Sequence, residues 1–142
     1  MPDIDTLASL HTILIDTRAG YEEAAKDAKA PGLAAFFREM AALRREDHEQ
    51  IHQNLVALGA RPDENGSFMA TVHQTVISLR AALIGINRSA LGSFASGEEH
   101  VLKAYDQALS DNRGKSEITA TLTRQRQRVV GKIEQMKEME GA

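Results

Sequence analysis

The sequence predicts an all-α fold: a four-helix bundle with an additional crossover helix between the second and third bundle helices. Three observations predict it. Apolar residues recur at spacings of three and four, and no stretch alternates apolar and polar residues as a strand does. Breaks at Pro31, along Gly59–Gly66, at Gly85 and along Asp111–Gly114 divide the chain into five segments. Four segments of about 24 to 28 residues give helices roughly 36 to 42 Å long, and the fifth is shorter and lies between two long pairs. The 142 residues form a single expected domain, 1–142, long enough to close a hydrophobic core.

Each element has its own justification. Asp3 can cap a first helix over about 3–29, whose apolar positions include Leu7, Leu10, Leu14, Tyr21, Ala25 and Ala28. Pro31 interrupts it, because proline lacks an amide donor and restricts the residue before it. A second helix, about 32–58, carries Leu33, Phe37, Met40, Ile51 and Leu55 on one stripe. Ser67 can cap the short helix at about 67–84, with Met69, Val72, Val76, Leu79 and Leu83 as a narrow stripe. Gly85 suits a helix C-terminus, where the left-handed conformation is common. A helix over about 87–110 follows, through Leu91, Phe94, Val101, Leu102, Tyr105 and Leu109. Ser116 starts the last, about 116–139, through Ile118, Leu122, Val129, Ile133 and Met136. A short helix between two long pairs matches the long connection of ferritin-like bundles.

Composition narrows the functional classes. Aromatic residues make up 4% and tryptophan is absent, so small aliphatic side chains and Met must fill the core. There is no cysteine, which excludes disulfides and thiolate metal sites and suits a reducing cytoplasm. The N-terminus opens with acids and lacks a basic, apolar signal region. No stretch has the length of a transmembrane helix. A net charge of −3 with interspersed signs gives no reason to expect nucleic acid or an anionic membrane as partner. The expected location is cytoplasmic.

Polar residues can be placed on each helix at about 100° per residue. Arg44 falls at the centre of the second helix's stripe, with Asp47 and His48 on its shoulders. Glu98 lies at the centre of the fourth predicted helix, Arg18 between Leu14 and Tyr21, and Gln125 between Leu122 and Val129. All lie near mid-helix and form a polar layer. Its structural reading is a buried ion-pair network in which Arg18 and Arg44 balance Glu98 and Asp47, with Tyr21 and Gln125 completing the hydrogen bonds.

Its functional reading is metal. Ferritin-like bundles set carboxylates and Glu-x-x-His pairs in their cores. One such motif exists, Glu49-Gln-Ile-His52, but Glu49 is rotated about 140° and His52 about 80° from Arg44, so it points to the side of the stripe. No second copy occurs, and Glu23 faces outward with Glu22 marginal. The metal reading therefore rests on an incomplete or mononuclear set of Glu98, His48, Asp47 and Glu22, holding iron, manganese or zinc. His48 and His52, four residues apart, can alternatively bind a single zinc or nickel with a carboxylate from a neighbouring helix. His11 reads as a core histidine, His73 lies beside the crossover stripe, and His100 points away from its stripe. The basic run Arg124, Arg126, Arg128 and Lys132 lacks interleaved aromatics and reads as a solvated face. Gly97 and Ser93, inside a helix, are read as sites of close helix approach.

Several motifs in register carry a family resemblance. They are Gly20-Tyr-Glu-Glu-Ala-Ala25, Leu58-Gly-Ala-Arg-Pro62, Gly66-Ser67 followed by His73, and Gly97-Glu-Glu-His100 continuing through Ala-Tyr105 to Ala-Leu109. Over roughly Leu10 to Leu109 the chain resembles a bacterial ferritin-like four-helix-bundle family, domain of unknown function 2383. The resemblance implies a ferritin-like fold with a crossover and no established reaction. Members often have a histidine in the last helix, where this chain reads Val129-Val-Gly-Lys-Ile-Glu134; that departure counts against a metal there. Taken together, the leading expectation is a non-enzymatic, self-associating bundle without a cofactor, stress-related as ferritin-like relatives often are. The alternatives are a metal-binding protein and an adaptor that presents a helical face to a protein partner.

Overall fold

A computed structural model describes residues 4–62, 90–114 and 116–141. They form four helices: α1 (Ile4–Asp27), α2 (Pro31–Ala57), α3 (Leu91–Asp111) and α4 (Ser116–Gly141), with no β-strand among the described residues. The expected helix at about 67–84, its Ser67 cap and His73 lie outside the described residues, as does the Asp3 cap.

Local chemistry sets the boundaries. Ala30, forced extended by the proline after it (φ −79°, ψ 129°), is the N-cap of α2, and Pro31 takes the first turn, where its missing N–H costs nothing. At the other end Gly59 adopts φ +84°. Its N–H donates to the Val56 carbonyl at 3.0 Å, and the Ala60 N–H donates to the Leu55 carbonyl at 2.9 Å. This pair of bonds is a Schellman motif, which satisfies carbonyls that α2 leaves open and needs a residue at ease with positive φ. α3 ends where the Asn112 amide donates back to the Ala108 carbonyl at 2.8 Å.

Cross-helix contacts give the directions. Tyr21 stacks on Phe37, and Arg44 reaches Thr17, so α1 and α2 are antiparallel. Tyr105 meets Gln125 and Asp106 meets Arg126, while Asn112 meets Thr119, so α3 and α4 are antiparallel. Gln50 meets Arg124 and Glu39 meets Lys132, making α2 and α4 antiparallel as well. Phe37 lies on Phe94 and Arg44 on Glu98, so α2 and α3 run in the same direction. The chain thus leaves α2 at one end of the bundle and enters α3 at the other.

The core contains most of the residues the periodicity selects: Leu7, Leu10, Leu14, Leu33, Phe37, Met40, Ile51, Leu55, Leu91, Val101, Tyr105, Leu122, Val129 and Met136 are all buried, whereas Ala25, Ala28, Phe94, Leu102 and Leu109 are partly buried and Ala24, Phe36 and Ala108 join the core from outside the expected stripes. Near the start of α3, Tyr21, Phe37 and Phe94 form an aromatic cluster with centroids 4.8 to 6.0 Å apart. Gly97 departs from expectation. It is exposed, and no described atom lies within 4 Å of where its Cβ would stand, so close packing does not require it.

Candidate metal centre

The polar layer contains two ion pairs. Arg44 and Glu98, each 2% exposed, form a two-pronged pair in which Nη1 donates to Oε2 at 3.3 Å and Nη2 donates to Oε1. Such fork-to-fork geometry is the strongest that arginine makes with a carboxylate. Arg44 Nη1 also donates to Thr17 Oγ1 at 3.1 Å, and the guanidinium lies 5.8 Å from the Tyr21 ring centre. Burial works most strongly against the Arg44 charge, but the Glu98 carboxylate, with Tyr21 and Tyr105 adding to it, holds the guanidinium above its usual range. Burial, with the Glu98 charge next, raises the Tyr21 phenol well above its usual value.

The second pair is Asp47 with Arg128, whose Nη2 donates to Asp47 Oδ1. Burial pushes the Asp47 carboxyl up, and Arg128 only partly offsets it. Gln125 ties this pair to the core: its Nε2 donates to the Asp47 carbonyl at 3.3 Å and to Gln50 Oε1 at 2.8 Å. Its Oε1 accepts from the Tyr105 hydroxyl at 2.8 Å.

The partners differ from those expected. Arg18 does not share the buried network: it is partly exposed and pairs with Glu22 at 3.3 Å along α1. Its position on the flank of the Leu14–Tyr21 stripe lets the long side chain reach water, a cheaper outcome than burial. Arg128 takes the role assigned to Arg18. The basic run of α4 is likewise not merely solvated, since Arg124, Arg126, Arg128 and Lys132 each have a partner: Gln50, Asp106, Asp47 and Glu39 respectively. Of the four residues expected to hold a metal, Glu98 and Asp47 are on arginines, Glu22 is on Arg18 at the surface, and His48 lies elsewhere in the bundle.

His48 belongs to a cluster with His11 and His52. His48 and His52, one turn apart on α2, face His11 of the antiparallel α1. Their ligand nitrogens all lie within 4.8 Å of one another. His52 Nδ1 and His11 Nε2 are 3.4 Å apart. The His11 ring centre is 4.5 Å from that of His48 and 5.5 Å from that of His52. His11 is 1% exposed and His48 6%, whereas His52 is half-buried at the rim.

Two nitrogens on a tetrahedral zinc, each about 2.0–2.1 Å from the metal, stand about 3.3–3.4 Å apart. The His11–His52 contact, a hydrogen bond between the two rings, has that separation, and one ligand nitrogen from each of the three residues lies within 4.8 Å of the others. Imidazoles are donors for borderline metals rather than hard ones. Reading α2 alone obscured the cluster, because His52 sits about 80° off its central stripe. In a bundle that flank faces the adjacent helix, and α1 happens to place a histidine there.

Residues 3–111 match the family described as Domain of unknown function (DUF2383). No curated protein matches the chain.

Proposed function

We propose, for a chain that belongs to the family Domain of unknown function (DUF2383) and inherits no established reaction from it, that the protein binds one divalent cation of the zinc class. The ligands are His11, His48 and His52. The single observation that carries this reading is the convergence of three imidazoles from two helices, with ligand nitrogens within 4.8 Å of one another. It moves the ligand set away from the carboxylates, because Glu98 and Asp47 each already balance a guanidinium. Taking Glu98 as a ligand would leave the buried Arg44 without its counter-charge, a cost of several kcal/mol. The parallel run of α2 and α3 supports the ferritin-like architecture with a long crossover, and in this reading the fold carries a mononuclear site instead of a di-metal one.

The test is zinc titration of tag-free protein, followed by elemental analysis after desalting. One equivalent should be retained. His11→Ala, His48→Ala and His52→Ala should each weaken binding by more than about a hundredfold, since loss of groups that only orient ligands already costs about 10- to 100-fold. Glu98→Gln should leave the affinity unchanged. Zinc that does not stay bound, or that binds equally well to all three histidine variants, would overturn the proposal.

A further inference from the structure

We infer that the groove between α1 and α2 is a separate binding site, for a small anion that carries two or more phosphoryl groups. It is independent of the metal reading, since no histidine lines it.

The groove has a volume of about 510 Å³, within the range of small-molecule sites. Its charged lining is mostly cationic: Lys26 from α1, and Arg38 and Arg45 from α2, against the single carboxylate of Glu22. Glu22 is already engaged by Arg18 at 3.3 Å, and Lys26 lies 3.6 Å from Glu23. The two arginines stand apart from those of α4, where Arg124, Arg126 and Arg128 meet Gln50, Asp106 and Asp47. Among the described residues neither Arg38 nor Arg45 has a hydrogen-bond or ion-pair partner for its guanidinium. Both are exposed, and both face the same groove.

Spacing selects the class of anion. Arg38 and Arg45 are seven residues apart, which puts them on one face of α2, two turns or about 10 Å from each other. A single phosphate reaches only one of them. A ligand with a second phosphoryl group extends toward both, and the flexible arginine stems close the remaining distance. Guanidinium forks match phosphate oxygens in pairs, and a phosphoryl group carries up to about twice the charge of a carboxylate. Beside these cations the walls are small. Ala25, Ala41 and Ala42 leave room for a ligand to lie along the helices, on an apolar bed that keeps water from the ion pairs and strengthens them.

The experiment is isothermal titration of the full chain with tripolyphosphate at low ionic strength, where screening is weak. Chelation and desalting beforehand remove any metal, which tripolyphosphate would itself bind. One equivalent should bind. Arg38→Ala and Arg45→Ala should each weaken binding by about tenfold or more, the worth of one charge-assisted hydrogen bond. Ala42→Leu fills the groove at an exposed position without removing a charge, and should weaken binding as well. Lys103→Ala removes an exposed cation of α3 and should leave it unchanged. Circular dichroism should find all four variants as helical as the parent chain. Orthophosphate and the dicarboxylate adipate should each bind at least about tenfold more weakly than tripolyphosphate. Absence of binding would overturn the inference, as would binding that Arg38→Ala, Arg45→Ala and Ala42→Leu leave intact or that Lys103→Ala weakens equally. Adipate binding as tightly as tripolyphosphate would overturn the phosphoryl class.

Discussion

At the scale of single residues, the balance of buried charge decides what each side chain is able to do. Glu98 and Arg44 are both removed from water, and neither is tolerable without the other. Glu98→Ala should therefore destabilise the fold by about 3–5 kcal/mol in urea unfolding, because it strands the guanidinium. Glu98→Gln keeps one acceptor and should cost less. A loss below about 1 kcal/mol for the alanine variant would mean that the pair does not hold the mid-bundle layer together. The two tyrosines of the chain offer a separate check. Burial raises both phenols, joined by the Glu98 charge at Tyr21 and the Asp47 charge at Tyr105. The folded protein keeps protons that the unfolded chain releases near pH 10, so this contribution to stability is complete below that pH and is lost above it. Tyrosinate absorbance should stay absent at about pH 11 while the helices persist, and appear together with the loss of helical circular dichroism. A phenol that ionised in the still-helical protein would contradict the burial of these rings.

At the scale of elements, the helices are terminated by chemistry and joined by polar contacts. Pro31 opens α2 and the left-handed Gly59 closes it, each where its backbone preference suits the site. Gly97 has no such reason. It sits in the interior of α3, with no atom of the described residues within 4 Å of where a methyl would go. Gly97→Ala should stabilise the protein by about 0.5–1 kcal/mol, read as a higher midpoint in thermal or urea unfolding. Destabilisation instead would point to a contact with the face of α3 that the described residues do not make. Between elements, α2 and α4 touch mainly through a ladder of polar pairs, Gln50–Arg124, Asp47–Arg128 and Glu39–Lys132. The outer pairs are exposed and contribute little on their own. Gln125 connects this ladder to the core, donating to Gln50 and accepting from the Tyr105 hydroxyl.

At the scale of the whole molecule, the direction of the helices places the chemistry. Because α1 and α2 are antiparallel, His11 near the start of one meets His48 and His52 near the end of the other. The same arrangement sets Tyr21 on Phe37 toward the opposite end, with Arg44 and Glu98 between. The bundle is therefore zoned along its axis: the histidine cluster, the ion-paired layer, then the aromatic cluster. In the proposed function a cation at the first zone binds only the folded state and raises stability as its concentration exceeds the dissociation constant.

The sequence by itself determined the helical class, the approximate ends of the helices, and most of the side chains that face inward. These follow from local rules: a period of 3.6 residues, the backbone limits of Pro31 and Gly59, and the cost of leaving apolar stripes in water. It also placed Arg44, Glu98 and Gln125 in the interior, since a residue at the centre of a stripe faces inward whatever the neighbours are. Only the tertiary structure decided which partners those residues take. Arg18 and Arg128 both flank their stripes, and stagger between helices gave Asp47 to Arg128 and left Arg18 to Glu22. The histidine cluster was hidden for the same reason. His11 and His52 come from two helices and lie 41 positions apart, and their meeting depends on rotation and stagger that no single helix encodes.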